Sequence, residues 1–233
     1  MIFGLFAFDW TILIVLPALI ISIWAQIKVS STYEQYSQMF ISKRITGAEA
    51  ARRILDSNGL HHVKIERVRG HLTDHYDPRA NVLRLSDSVY NSATAAAVGV
   101  AAHEAGHALQ YAKGYAPIKM RSAIIPVTKY GSVLAIPLFI IGLLFASDGL
   151  ALLGIALYAT VALFQLVTLP VEFNASERAL DSLRSLSILK DDELSAAHRV
   201  LSAAAMTYVA ALLTSLLTLL RLLIIFNGGN RRR

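Results

Sequence analysis

The chain has 233 residues, of which 55% are hydrophobic and 16% are charged, a composition typical of membrane proteins and not of soluble domains. Its formal net charge of +6 comes from dispersed basic residues without an aromatic stripe, so we expect contact with anionic lipid headgroups and no nucleic-acid binding. The absence of cysteine excludes disulfides and thiolate metal ligands, so any transition metal would be held by His, Asp or Glu.

The first apolar run, residues 10–27, is long enough to cross a bilayer, since a span needs about 20 residues of helix. A cleaved signal peptide normally begins with a basic region, whereas the first Lys or Arg of this chain is Lys28. We therefore expect this run to be a retained transmembrane anchor.

A short helix is predicted in the polar segment that follows. Thr46 and Glu49 have the spacing of a capping box, in which the two side chains satisfy backbone amides at a helix start. The helix is expected to run to about Ser57, because Asn58 and Gly59 supply a left-handed stop.

A β-hairpin is predicted next. Residues 63–66 and 82–85 have strand-like composition, and residues 77–81 between them are typical of a turn. We expect these two strands to pair, and the second of them, about 81–85, either to present a free edge or to serve only in packing.

A run of small residues from Ser92 to Ala112 predicts a closely packed helix that stops at Gly114. It contains an HExxH motif, with His103, Glu104 and His107 at the defining positions. Positions four apart lie on one face of a helix, so the two imidazoles can reach one zinc ion while Glu104 contacts a water bound to that ion.

This motif is typical of zinc-dependent hydrolysis. Zinc lowers the pKa of its bound water to about 7, and Glu104 would accept the proton as the water attacks a peptide carbonyl, then pass it to the leaving amine. A chance match of a short pattern is the alternative. It is disfavoured because two His and a Glu among Ala, Val and Gly neighbours would lack polar partners, which costs free energy.

Three more apolar runs follow the motif. Residues 124–146 and 150–169 are separated by a short turn around Ser147 and predict a transmembrane helical hairpin. Residues 206–226 predict a last span, although Arg221 is costly near the bilayer centre unless it reaches an end. An interfacial helix is the alternative for this run.

A third metal ligand is expected between the last two spans, where Glu172 and Glu177 are candidates. On a helix over 171–187, Glu172 lies on the side of the apolar residues, whereas Glu177 lies roughly 140° away on a polar side. We therefore predict Glu172 as the ligand. The alternative is that Glu172 is a carboxylate at a helix N-terminus just after Pro170, favoured by the helix dipole.

Other polar residues are weaker candidates. His71 and His75 could line the cleft or be solvated loop residues, and His61 and His62 are expected at the surface. Metallopeptidases often place a donor for the oxyanion after the third ligand, and the sequence does not choose among its candidates, which are Arg178, His198 and Tyr208.

These features divide the chain into five segments. They are a transmembrane anchor (1–27), a catalytic region with the HExxH helix (28–121), a transmembrane helical hairpin (122–171), a helical segment with the third ligand (172–205), and a C-terminal span with a basic tail (206–233). Most Lys and Arg residues lie in the second and fourth segments, so the positive-inside bias predicts a cytoplasmic catalytic site. The three arginines of the C-terminal tail would then lie on the opposite side, which argues against this orientation. We expect an integral protein of a bacterial plasma membrane.

Four stretches together resemble the YugP-type membrane zinc metallopeptidases: HEAGHALQ (103–110), GHLTDHYDP (70–78), VEFNASERAL (171–180) and AAAMTYVAAL (203–212). HExxH followed by Glu-Phe-x-Ala is more distantly similar to the HtpX and CAAX-prenyl protease group. The distant group uses the Glu of its second motif as third zinc ligand, which implies Glu172 here. It usually has an Asp four residues later, where this chain has Ser176.

The resemblance implies a mainly α-helical integral membrane protein with about four transmembrane helices and a small α/β zincin-like (gluzincin) catalytic region. Its implied activity is that of a Zn²⁺-dependent endopeptidase acting on membrane or membrane-proximal proteins. A catalytically silent zinc-binding scaffold is an alternative, disfavoured because structural zinc needs no general base such as Glu104. A metal transporter is a third, disfavoured because the spans carry few ionisable residues.

Overall fold

The computed structural model describes residues 10–230, which are mainly helical. Their elements follow in chain order: α1 (Ile12–Tyr36), α2 (Gly47–Ser57), β1 (Lys64–Val68), β2 (His75–Asp77), β3 (Val82–Ser86), α3 (Asp87–Tyr90), α4 (Ala95–Ala112), α5 (Ala116–Leu144), α6 (Asp148–Ser185) and α7 (Asp191–Asn230).

Within the described residues, four helices are long and apolar enough to cross a membrane: α1, α5, α6 and α7. Large apolar side chains such as Ile20, Trp24, Leu134 and Leu166 are exposed along them. Such a surface is unfavourable in water and suits contact with lipid acyl chains. The four predicted spans are therefore confirmed as helices, while residues 1–9 and the tail at 231–233 lie outside the described residues.

Two of these helices are longer than the predicted spans. α6 continues without a break through Pro170 to Ser185, and α7 begins at Asp191, well before residue 206. Proline normally removes one helical hydrogen bond, but α6 is buried on both sides of it, at Val167 and Val171. Packing therefore stabilises the helix where the local sequence favours a boundary.

The chain divides into two compact units. One, which we call the membrane unit, comprises Met1–Trp24, Met120–Leu169 and Tyr208–Arg233. The other, which we call the motif unit, comprises Ala25–Lys119 and Pro170–Thr207 and contains the HExxH residues.

Small residues and a few polar contacts hold the membrane unit together. A Cβ on Gly142 would lie 2.3 Å from the backbone nitrogen of Ala151, so α5 and α6 approach more closely than a larger residue would allow. Arg221, the charge predicted to be costly in the last span, donates from Nε to the hydroxyl of Thr11 at 3.0 Å. Thr11 directly precedes Ile12, the first residue of α1, so the Arg221 guanidinium reaches the end of a helix.

The sheet of the motif unit has the order β1-β3-β2. β1 pairs with β3 in parallel, with Lys64 opposite Val82, whereas β2 pairs with β3 antiparallel, with His75 opposite Arg84. The predicted hairpin between 63–66 and 82–85 is therefore wrong. The turn residues do form a hairpin, but its first strand is β2, whose three residues are too few to show alternation.

The central position of β3 also corrects the expected free edge at 81–85. Both edges of β3 are paired, and Leu83 and Leu85 are fully buried, so β3 is a packing strand. In the described part of the chain, β2 is an edge strand of this sheet. Asp74, just before β2, accepts a hydrogen bond from the backbone N–H of Ser86 at 2.7 Å and fixes β2 against the end of β3.

The predicted capping box at the start of α2 is confirmed. The backbone N–H of Glu49 donates to the Thr46 hydroxyl at 3.3 Å, and the backbone N–H of Thr46 donates to the Glu49 carboxylate at 2.8 Å. α2 begins at Gly47, ends at Ser57 and packs its buried Ile54 and Leu55 into the core that also covers α4.

We predict that Thr46→Ala lowers the free energy of unfolding by about 1 kcal/mol, because it leaves a backbone amide at the start of α2 without its cap. The measurement is urea unfolding in detergent micelles. Ser202→Ala, at an exposed position within α7, is the control and should not lower the unfolding midpoint, because alanine is the better helix former. Equal midpoints for wild type and Thr46→Ala would show that the capping box contributes nothing to stability.

Candidate metal centre

α4 carries the two histidines of the HExxH motif on one face. Its first turn is capped by Thr94, whose hydroxyl accepts from the backbone N–H of Ala97 at 3.3 Å. His103 and His107 are one turn apart, and their ring centroids lie 4.8 Å from each other in an edge-to-face arrangement. The buried residues of α4 are mostly alanines, and Gln110 is the polar residue among them.

Glu172 of α6 faces both imidazoles. Its Oε2 lies 3.3 Å from Nε2 of His103 and 3.6 Å from Nε2 of His107, and the residue is only 2% exposed. One ligand atom from each of the three residues lies within 4.8 Å of the others, a spacing that could hold a metal ion. Two imidazoles and one carboxylate are also a donor set that zinc uses in catalytic sites.

A glycine makes this approach of α4 and α6 possible. A Cβ on Gly106 would lie 2.5 Å from the carbonyl oxygen of Ala175, closer than a side-chain carbon can come to backbone. Gly106 is the second of the two variable positions of the HExxH motif. Because it has no side chain, α6 with Glu172 can lie directly against α4 with the histidines.

The structure separates the two glutamates as the helical periodicity predicts. Glu172 is buried at the histidines, whereas Glu177 is exposed. The alternative of a helix N-terminal carboxylate is wrong for Glu172, because α6 begins at Asp148 and Glu172 lies well inside it.

The second nitrogen of each imidazole also has a partner. Nδ1 of His103 lies 3.1 Å from the hydroxyl of Ser176, and Nδ1 of His107 lies 3.0 Å from the amide oxygen of Gln110. Such contacts orient the ring of a metal-binding histidine. Ser176, which departs from the Asp of the more distant group, still contacts His103.

The electric field at the histidines favours a cation. Burial of the His107 imidazole lowers its pKa, but the hydrogen bond to Glu172 and the charges of Glu104 and Glu172 outweigh it, so the pKa is raised above its usual value. A buried carboxylate such as that of Glu172 costs free energy unless positive charge or hydrogen bonds compensate it. A divalent ion therefore fits this site chemically.

Glu104 lies beside the sheet. Its carboxylate accepts a hydrogen bond from the backbone N–H of Tyr76 in β2 at 3.1 Å. The strand at the edge of the sheet is thus adjacent to the residue that the motif predicts as general base. Sequence reasoning missed this contact, because nothing local indicates a three-residue strand at 75–77.

The other predicted candidates have contacts of their own and are not among the three clustered residues in the described part of the chain. His71 packs edge-to-face on Tyr33 with ring centroids 5.4 Å apart, and His75 lies 2.9 Å from the carbonyl oxygen of Thr73. His61 contacts Asp56 at an exposed position, as predicted for the surface.

The three oxyanion candidates have different surroundings. Arg178 is half-buried on α6 and donates from Nε to the amide oxygen of Asn174 at 2.7 Å. His198 is exposed on α7, and Tyr208 belongs to the membrane unit. Arg178 belongs to the hydrogen-bonded surroundings of Gln110, since Gln110 contacts the same Asn174 oxygen at 3.1 Å.

Sequence similarity to known proteins covers most of the chain. Residues 11–227 match the model of a family described as "Putative neutral zinc metallopeptidase". The chain belongs to this family. It is 50% identical over 218 residues to "Putative membrane protease YugP" of Bacillus subtilis (strain 168), an alignment that covers 94% of this chain and 97% of that protein. No solved structure matches the chain.

Membership in a zinc metallopeptidase family makes zinc the cofactor of this protein, and the cluster of His103, His107 and Glu172 is a possible site for it. The long apolar helices make it an integral membrane protein in contact with lipid. A protease family also implies a protein or peptide as substrate.

We predict that Glu172→Ala loses stoichiometric zinc while Glu177→Ala keeps it, because only the first side chain faces the imidazoles. The loss of affinity should exceed the roughly 10–100-fold that follows removal of a residue behind a ligand. Metal analysis after dialysis against a weak chelator measures it, with circular dichroism to verify helix content. Zinc retained by Glu172→Ala and lost by Glu177→Ala would reassign the third ligand.

Proposed function

We propose that this protein is a membrane-embedded zinc-dependent endopeptidase that hydrolyses peptide bonds of membrane or membrane-proximal proteins. The observation that carries the proposal is the convergence of two imidazoles and one buried carboxylate, with the charge of Glu104 also acting on His107. Family membership supports the same reaction class.

In this proposal His103, His107 and Glu172 hold the zinc ion. The ion supplies Lewis-acid chemistry, which activates water at neutral pH and polarises the carbonyl of the scissile bond. The three residues lie on two packed helices, α4 and α6, so their positions are fixed by helix packing and not by a loop.

Glu104 is the proposed general base. Its carboxylate takes a proton from the attacking water as the oxygen–carbon bond forms, and it delivers that proton to the leaving nitrogen as the carbon–nitrogen bond breaks. The Tyr76 N–H donates to Oε2 and orients the group, while the other oxygen remains available for the proton.

The substrate is proposed to add to the edge of β2. Since the Tyr76 N–H points to Glu104, the edge of β2 that does not pair with β3 faces the motif helix. An extended peptide can bind such an edge through backbone hydrogen bonds with little demand on its sequence. Because the Tyr76 N–H already donates to Glu104, the peptide would donate one of its own N–H groups to the Tyr76 carbonyl oxygen. This assigns to β2 the role that the sequence suggested for residues 81–85.

The catalytic side is proposed to face the cytoplasm, because most Lys and Arg residues lie in the segments between the spans that also carry the motif and Glu172. The native chain contains no cysteine, so single introduced cysteines can report the orientation.

We predict that Glu104→Gln keeps zinc and fold but loses peptide hydrolysis by about 10²–10⁴-fold, because an amide of equal size cannot accept the proton. The amide oxygen can still accept from Tyr76, so the local structure should persist. Zinc content and cleavage of casein or a detergent-solubilised membrane protein measure the two effects, with exposed Glu177→Gln as matched control.

Undiminished cleavage by zinc-loaded Glu104→Gln would refute the mechanism. Zinc binding without hydrolysis in wild type, over the same substrates, would instead support a zinc-binding scaffold.

For orientation, we predict that a cysteine at Ser195 is protected from a membrane-impermeant maleimide in intact cells, whereas a cysteine at Gly149 is labelled. Both positions are exposed on the protein, unlike the buried Ser86, so protection reports the membrane side and not burial. Labelling at 195 with protection at 149 would reverse the proposed orientation.

A further inference from the structure

Gln110 is a fully buried polar side chain one turn beyond the HExxH motif. Its amide oxygen lies 3.0 Å from Nδ1 of His107. Its amide nitrogen lies 2.7 Å from the carbonyl oxygen of Val171 and 3.1 Å from the amide oxygen of Asn174, both on α6. One side chain thus joins a proposed ligand on α4 to the helix that carries Glu172.

The direction of these hydrogen bonds is fixed by chemistry. A backbone carbonyl only accepts, so the group of Gln110 that faces Val171 must be its NH₂. The amide oxygen then faces His107 and can only accept, so Nδ1 of His107 must carry the hydrogen. In a neutral imidazole this leaves the lone pair on Nε2, the nitrogen that faces Glu172.

Arg178 fixes the other end of the network. A guanidinium has no acceptor, so the Asn174 atom that lies 2.7 Å from Nε of Arg178 must be its oxygen. That oxygen accepts from both Arg178 and Gln110, and Asn174 therefore acts in the network as an acceptor only. The Arg178 guanidinium carbon lies 5.8 Å from the ring centroid of Tyr115, a further contact for the same side chain.

We propose that Gln110, Asn174 and Arg178 form a hydrogen-bond relay that holds neutral His107 as its Nδ1–H tautomer and so presets Nε2 for zinc. This proposal rests on the ligand set proposed above. Gln110 is the positioning residue that touches His107, and Asn174 and Arg178 act through Gln110.

The contrast with His103 makes the proposal specific. Nδ1 of His103 meets the hydroxyl of Ser176, which can donate or accept and therefore does not select a tautomer. His107 is thus preset by its surroundings, and His103 is not.

Asn174 offers a pair of variants that separate the relay from simple packing. Asn174→Asp keeps an oxygen that accepts from both Gln110 and Arg178, whereas Asn174→Leu is similar in size and accepts nothing. If Asn174 serves as an acceptor, Asp should preserve the metal site and Leu should not. Gln110→Met, which removes the contact to His107 itself, completes the set, and exposed Glu177→Gln on the same helix is the control.

The measurements are the zinc Kd, from competition with a chromophoric chelator, and the visible absorption bands of the cobalt(II)-substituted full-length protein in detergent. We expect Gln110→Met and Asn174→Leu to weaken zinc binding about 10–100-fold, the range for residues behind a metal ligand, and to shift the cobalt bands. Asn174→Asp and Glu177→Gln should keep the wild-type Kd and spectrum.

Two results would overturn the relay. One is a wild-type Kd and spectrum in Gln110→Met and Asn174→Leu, and the other is an Asn174→Asp protein as impaired as Asn174→Leu. If Gln110→Met does not fold, the Asn174 pair still decides. A wild-type protein that binds neither zinc nor cobalt would refute the ligand set and the relay with it. If the wild type binds metal and the relay variants bind it equally well, only the relay is refuted.

Discussion

The contact between α4 and α6 at Gly106 is the constraint on which the metal centre depends. Only because Gly106 lacks a Cβ can α4 lie against the backbone of Ala175. That approach carries Glu172 to within 3.3 Å of His103 and 3.6 Å of His107. A carboxylate buried at this depth needs compensation, which the two imidazoles give and a metal ion would add to.

α4 also links the metal centre to the sheet. The face with His103 and His107 meets α6, while Glu104 accepts from the backbone of β2. A single helix therefore positions the proposed ligands, the proposed base and the strand edge relative to one another. The buried alanines of α4 make this possible, since small side chains allow neighbours to approach on several sides at once.

The hydrogen-bond partners of the two histidines are unequal. His107 contacts a buried amide whose orientation is dictated by Val171, whereas His103 contacts a hydroxyl that can rotate. In the proposed enzyme the two ligands would differ in how far the protein has organised them before the metal binds.

The sequence by itself determined the features that depend on neighbours along the chain. Run length and hydropathy predicted four helices able to span a membrane, and the spacing of Thr46 and Glu49 predicted the capping box. Helical periodicity predicted that Glu172, and not Glu177, is buried, because angles around one helix follow from sequence separation.

Tertiary structure decided what depends on residues far apart in the chain. The antiparallel partner of β3 is β2, a strand of three residues without a periodic pattern. The sequence therefore assigned the hairpin to β1, which is the wrong strand. The contacts of Gln110 with α6 and of Glu104 with Tyr76 join residues 28–64 positions apart. Such contacts are set by how helices and strands pack, and packing is a non-local property that spacing along the chain does not encode.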